Sequence, residues 1–271
     1  MTEDLQTLDY FERKSKGFFR KQKVRIKHKL GWLGVPEIIP CRGFASYAAG
    51  QAFIAGALTE DKGLEKLDGK NTLGENILAM LKRYSGDQIP SARVKVELSN
   101  ATKELVTEEN GIFKTKLPVN FVRKKEKTRW LHYHAELMDK TGVGSEKYSA
   151  QGEILVPGSD ARFAVISDID DTIMVSHSTQ TLSKLRLILT HNSRTRKPFP
   201  GVEAFYCALH LGGNGNDANP FFYISSSEWN LYDLIDDFCT FNKFPKGGLF
   251  APRNTSGHFK FVETRWRKPR T

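Results

Sequence analysis

Three carboxylates, Asp168, Asp170 and Asp171, fall within four positions of the stretch VISDIDDTI. Acids so close together repel one another, and withdrawing them from water is costly unless a cation sits among them. A hard divalent ion answers both problems. Mg2+ prefers oxygen ligands, keeps several waters and is completed by a substrate phosphate, so one or two carboxylates suffice. Asp168 is a candidate nucleophile of the kind that forms acyl-phosphate intermediates. Asp170 is spaced to protonate a leaving oxygen and then to activate water, and Thr172 is expected to brace the turn with its hydroxyl. The competing reading is a strand followed by an acidic turn, since Asp is common there. A bare DxD does not separate the two, whereas DxDDT at the end of an apolar strand favours the chemistry.

The elements around these residues follow from pattern. Residues 161–166, ARFAVI, read as a short buried strand whose carboxyl end delivers the acids into the crevice where open α/β sheets hold ligands. A second buried strand, PFFYISSS over 220–227, ends in hydroxyls and leads into a predicted helix over 228–241. A small hydroxyl there, just before a helix N-terminus, suits a phosphate oxygen. Helices are also predicted over 181–190 and 202–211. The connection GGNGNDAN, 212–219, lacks a GxxxxGK pattern and reads as a flexible loop rather than a phosphate cradle.

Upstream the signals differ. Leu5 to Phe19 predicts a helix weakened at Gly17, and the alternation from Lys23 to Leu30 predicts a basic strand. Residues 38–57 predict a strand, a glycine-containing loop and a second strand. Thr72 and Glu75 form a capping box ahead of a helix over 73–84. Beyond Pro90, Val94-Val96-Leu98, the EENG turn with Ile112, Phe113 and Leu117, WLHYHAEL over 130–137, and Glu153–Val156 argue for an antiparallel β-sandwich. His132 and His134 share one strand face, but without a third ligand they read as ordinary strand histidines rather than a zinc site. Pro157-Gly158-Ser159-Asp160 marks the boundary between two domains.

Composition narrows the class. The 271 residues, 39% hydrophobic and 27% charged, describe a soluble globular chain, and no apolar run reaches the roughly 18 residues that a membrane-spanning helix needs. The N-terminus lacks the apolar core of a signal peptide, and three scattered cysteines, Cys41, Cys207 and Cys239, suit a reducing cytoplasm. Net charge is +10, and residues 13–36 hold nine Lys or Arg and no acid. That block attracts phosphate-bearing surfaces, or is simply a solvated arm.

VISDIDDTI resembles the first motif of haloacid-dehalogenase-type phosphatases, and in wording it most resembles the lipin-related phosphatidate phosphatases of the actin-patch-protein type. YISSSEWNLYDL and IIPCRGF are similar to segments of the same family. The basic block sets off an N-terminal arm (1–34), and the resemblance, which spans most of residues 35 to 260, implies a transthyretin-like β-sandwich (35–157) and a Rossmann-like catalytic domain (161–271). It implies Mg2+-dependent hydrolysis of a phosphomonoester, phosphatidate above all, with Asp168 and Asp170 at the metal. It gives Ser225 a phosphate oxygen to hold, and Lys260 the role of neutralising cation, with Lys268 as the alternative. Glu228 stands where relatives often have proline. The expected partners are phosphatidate or another phosphomonoester, with peripheral contact to an anionic membrane and no nucleic acid. The family's further Gly-Asp-Ser-Gly motif is not found before Thr271, so the catalytic sheet is expected to be C-terminally incomplete, and a non-catalytic lipid- or protein-binding module stays open.

Overall fold

The chain opens with two helices, α1 (Glu3–Lys14) and α2 (Phe18–Lys29). The computed structural model describes residues 3–15, 18–30, 33–61, 86–119, 127–139, 148–159, 161–169, 172–173, 198–215, 217–225 and 232–250. The helices expected over 73–84 and 181–190 lie outside the described residues.

α1 ends at Lys14 and α2 starts at Phe18, on either side of the predicted weak point, Gly17, which lies outside the described residues. The strand expected over Lys23 to Leu30 is corrected: these residues continue α2. Alternation of Lys with apolar residues imitated strand periodicity, but Val24 and Lys27, three apart, form the face that docks, while Ile26 and Leu30 face outward. The Lys, Arg and Gln side chains of this stretch are themselves good helix formers. Lys27, assigned by alternation to a solvated side, is 6% exposed. Its ammonium donates to Glu60 at 2.8 Å and to Asp87 at 2.5 Å. Glu60 also accepts the N–H of Gly34 at 2.8 Å and that of Asp87 at 3.2 Å, so every charge in this buried group is met. Tyr10 and Phe11 of α1 and Val24 of α2 join the core of the strands below.

Those strands are β1 (Val35–Pro40), β2 (Gly43–Ser46), β3 (Gln51–Asp61), β4 (Arg93–Leu98), β5 (Ala101–Val106), β6 (Ile112–Pro118), β7 (Arg129–Leu137) and β8 (Ser149–Val156). They form an eight-stranded sheet in the order β1-β3-β2-β8-β7-β4-β5, with β6 on β3. The antiparallel expectation holds for the pairs of this sheet except β2–β8, which is parallel. β1 and β2 follow one another along the same edge of β3, β1 opposite residues 56–61 and β2 opposite 51–53, and one extra residue between them makes a bulge at Cys41 and Arg42. Gly43 is required there, because a Cβ would come within 2.2 Å of the Phe53 carbonyl oxygen. The inward residues Ile54, Leu58, Val94, Val96, Phe113, Tyr133, Ala135 and Ile154 make one continuous core. β5 gave no strand signal, because Thr102, Lys103, Glu104 and Val106 are exposed and its apolar alternation is missing.

A second sheet is wholly parallel: β9 (Val165–Asp168), β10 (Phe221–Ile224) and β11 (Gly248–Phe250), in the order β11-β10-β9. α3 (Val202–Leu211) links β9 to β10, and α4 (Tyr232–Phe241) links β10 to β11. This strand-helix alternation is the α/β pattern expected of the second half of the chain. Tyr206 of α3 packs on Phe221 with ring centroids 5.5 Å apart, and Phe222 meets Phe44 of the larger sheet at 5.7 Å. The strand expected from Ala161 starts only at Val165, and Phe163 and Ile166 are exposed rather than buried. The N–H groups of Arg162 and Phe163 donate instead to the side-chain carbonyl of Asn219, at 2.9 and 3.4 Å.

Arg42 joins the two sheets. Its guanidinium forms a two-pronged ion pair with Asp236 of α4, and its N–H donates to the Tyr232 hydroxyl at 2.7 Å. Nearby, Lys246 pairs with Glu153 at 2.6 Å and lies 4.5 Å from the Trp130 ring centre.

Burial pulls the Lys27 ammonium down, but the Asp87 and Glu60 carboxylates lift it above its ordinary value; burial raises Asp87, but Lys23 and Lys27 hold it below the usual aspartate range. The unfolded chain therefore binds more protons at Asp87, and the stability from this group is lost as pH falls through the depressed folded value. Lys27→Ala is expected to cost about 3 kcal/mol in urea denaturation by stranding the Glu60 carboxylate, and Lys27→Met with Glu60→Leu to recover roughly half or more of it. Equal losses in both variants would show that the charges are not what holds α2 down.

Candidate active site

β9 ends at Asp168, and the parallel register sets Asp168 opposite Ile224, the last residue of β10. Pairing runs one step further, since the Ile169 N–H donates to the Ile224 carbonyl at 2.9 Å. Ser225, the next residue, therefore leaves its strand beside the point where Asp168 leaves its own. Adjacent strands lie about 4.8 Å apart, so the backbone brings these two predicted residues to one edge of the sheet. Asp168 is exposed and Ser225 is fully buried. By strand alternation Asp168 shares the face of Ile166 and Phe222, whereas Ser225 continues the buried series Phe221 and Tyr223. The two functional groups approach from opposite faces of the sheet edge.

The turn after Asp168 is pinned from below. Ile169 and Ile173 are fully buried, four residues apart, in the core formed by α4 and the small sheet. The N–H groups of Thr172 and Ile173 donate to the Ile169 carbonyl at 3.3 and 3.2 Å. Thr172 contributes its main chain to this turn, and its side chain is exposed.

Tyr206 supports the strand end from behind. Its hydroxyl lies 2.6 Å from Ser167 Oγ, and the Ser167 hydroxyl donates to the Asp168 carbonyl at 2.8 Å. With the single Ser167 proton committed, the Tyr206 O–H is the donor to Ser167. At the opposite end of the sheet, Asn219 is fully buried: besides Arg162 and Phe163 it bonds the Leu209 carbonyl at 2.9 Å, and its own carbonyl meets His210 Nδ1 at 2.7 Å. The segment expected to be a flexible loop thus ends in a bolt joining β9, α3 and β10. Neither Tyr206 nor Asn219 is visible in the sequence as a positioning residue, because one sits in an ordinary amphipathic helix and the other in a loop-like run.

Asp170, Asp171, Glu228, Lys260 and Lys268 lie outside the described residues. His132 and His134 are exposed on β7, opposite Glu153 and Gln151. Among the described residues no group of three or more His, Cys, Asp or Glu is arranged to hold a metal. The described donors at the β9–β10 edge, the Asp168 carboxylate and the Ser225 hydroxyl, are oxygens, which fits a hard cation and not a thiophilic one. A separate cleft lined by Arg42, Asp236, Cys239 and Lys246 lies where the sheets meet. Burial, and then Asp236, push the Cys239 thiol up to about 12, so it stays protonated at neutral pH and offers no nucleophile.

The family model of the phosphatidate phosphatase APP1 catalytic domain matches residues 163–270, a span that includes Asp168, Asp170, Thr172, Ser225 and Lys260. Comparison with curated proteins and with solved structures gives no match. The relay behind Asp168 predicts a measurable coupling. Tyr206→Phe and Ser167→Ala should each lower the unfolding free energy by about 1 kcal/mol, and the double variant by less than the sum, because both remove parts of one chain of hydrogen bonds. Strict additivity in urea titrations would show that the relay is not a unit.

Proposed function

We propose, from the match of residues 163–270 to the family model of the phosphatidate phosphatase APP1 catalytic domain, that the chain hydrolyses phosphatidate to diacylglycerol and phosphate with the help of Mg2+. The observation that carries this reading is that two neighbouring parallel strands inside the matched span end at Asp168 and just before Ser225, at one carboxyl edge of the sheet. Crevices at such edges are where open α/β sheets bind ligands.

In this reading an Asp168 carboxylate oxygen attacks phosphorus, and the bond from phosphorus to the glycerol oxygen breaks. Asp170 gives its proton to that departing oxygen. Asp170, now a carboxylate, takes a proton from water, and the resulting hydroxide attacks the aspartyl phosphate, freeing phosphate and restoring Asp168. Ser225 and Lys260 hold the remaining phosphoryl oxygens. Mg2+, held by the Asp168 carboxylate and the Asp170 main-chain carbonyl, would neutralise charge on the phosphoryl group. The relay from Tyr206 through Ser167 to the Asp168 carbonyl supports this role by fixing the nucleophile's backbone. The described cysteines are free thiols, which fits a reducing compartment such as the cytoplasm.

The test is phosphate release from phosphatidate micelles by the full chain, with and without Mg2+. Asp168→Asn should reduce release at least about a thousandfold, and Ser225→Ala about a hundredfold. Undiminished release by Asp168→Asn would overturn the mechanism. Equal turnover of water-soluble phosphomonoesters, indifferent to lipid presentation, would point to a soluble substrate. No release by a demonstrably folded chain would leave a binding module.

A further inference from the structure

The outward face of α2 is unusual for a helix docked on a protein core. Phe19 is 87% exposed, Phe18 70%, Ile26 55% and Leu30 54%, with the Leu30 N–H donating to the Ile26 carbonyl at 3.0 Å so that the helical turn runs on to it. At 100° per residue Phe19, Ile26 and Leu30 fall within about 40° of one another, in a single stripe, with Phe18 to one side. This is not a core face turned outward by accident of register, because the face that packs is a different one, Val24 and Lys27. Large apolar side chains gathered on an exposed helix face mark an interaction surface.

Charge identifies the partner. The helix FFRKQKVRIKHK contains no acid. Arg20, Lys21 and Lys29 are exposed and make no ion pair among the described residues. Lys23 and Arg25, although paired with Asp87 and Glu12, are themselves about half exposed and keep their charge at the same surface. Basic residues bordering an apolar stripe are the composition of helices that lie in the interface of an anionic bilayer, where apolar burial and attraction to lipid headgroups add together. A second copy of the chain is a poor occupant, since a two-fold contact would set these like charges against one another.

We propose that α2 docks the protein on anionic membrane, with Phe19, Ile26 and Leu30 inserted at the headgroup boundary and Arg20 and Lys29, on either side of that stripe, against lipid phosphates. Its purpose rests on the phosphatidate reading, because that substrate is itself an anionic lipid presented in a bilayer. Its test does not. No described helix is long and apolar enough to cross a membrane, so a helix lying in the interface is the mode of contact that α2 can supply.

The experiment is flotation of the full chain with vesicles of phosphatidylcholine alone, of phosphatidylcholine with phosphatidylserine, and of phosphatidylcholine with phosphatidate. The chain should float with both anionic compositions and not with the neutral one, and binding should weaken as salt rises. Phe19→Ser with Ile26→Ser should weaken partitioning about tenfold, and Arg20→Glu with Lys29→Glu at least about tenfold. Both pairs should keep the wild-type circular dichroism and thermal transition, because the altered side chains are exposed. Both should also hydrolyse a water-soluble short-chain phosphatidate at the wild-type rate. Unchanged flotation of the Phe19/Ile26 variant would overturn the proposal, as would loss of binding in the charge variant alone, which describes an electrostatic phosphate surface without insertion. A wild-type dimer that the Phe19/Ile26 variant dissociates would overturn it in favour of a second copy. Stripe-dependent flotation without turnover of any phosphatidate would leave the docking intact and remove the phosphatase reading; turnover of soluble phosphatidate without flotation would do the reverse.

Discussion

The ion pair between Arg42 and Asp236 sets how the two sheets of this protein meet. Arg42 sits at the bulge between β1 and β2, and Asp236 sits on α4, which packs beneath the candidate catalytic turn. Burial raises the Asp236 carboxyl above its ordinary value, and the Arg42 guanidinium opposes that shift. Such a pair is weak as a source of net stability, because desolvation offsets much of the attraction, but it is exacting about geometry. The planar guanidinium meets the carboxylate along two bonds, so both distance and orientation are specified.

The bulge itself is braced from the larger sheet. The Tyr133 hydroxyl donates to the Cys41 carbonyl at 2.8 Å, while the Cys41 side chain belongs to the core of the smaller sheet. Gly152, opposite Tyr133 on β8, leaves room for that ring, since a Cβ would lie 2.2 Å from it. A chain of contacts thus runs from the eight-stranded sheet through Tyr133, Cys41 and Arg42 into α4. From there the shared core reaches Ile169 and Ile173, which hold the turn after Asp168. The candidate nucleophile is placed by both sheets, although it is carried by one.

The same rule of paired burial governs the N-terminal helices. Lys27 is buried only because Glu60 and Asp87 meet it, and this lets the rest of a very basic helix turn outward. Lys27, with Lys23 on Asp87 and Arg25 on Glu12, commits the helix to the protein, and Arg20, Lys29 and the Phe19, Ile26 and Leu30 stripe are left for a surface of opposite charge. Apolar insertion and phosphate attraction would then bring the chain to the kind of interface where phosphatidate resides.

Much of the site was legible in the amino-acid sequence because it is encoded locally. An apolar strand running into DxDDT, and a second one running into hydroxyls, announce two strand ends, and the structure aligns Asp168 with Ile224, just before Ser225. Helix α3 was expected over 202–211 and is found over those residues. Local pattern failed where a partner distant in sequence decided the outcome. Lys23 to Leu30 alternates like a strand, yet α2 is a helix because Val24 and Lys27 together meet a core and two carboxylates supplied by residues far along the chain. β5 shows no apolar alternation and exists through its pairing with β4. Tyr206 and Asn219 acquire their positioning roles only when α3 folds back against β9. Sequence by itself determined the chemistry on offer, since residue type and strand-end spacing are local properties. Tertiary structure alone decided which charges are buried and which are presented, because burial depends on what the rest of the chain brings to each side chain.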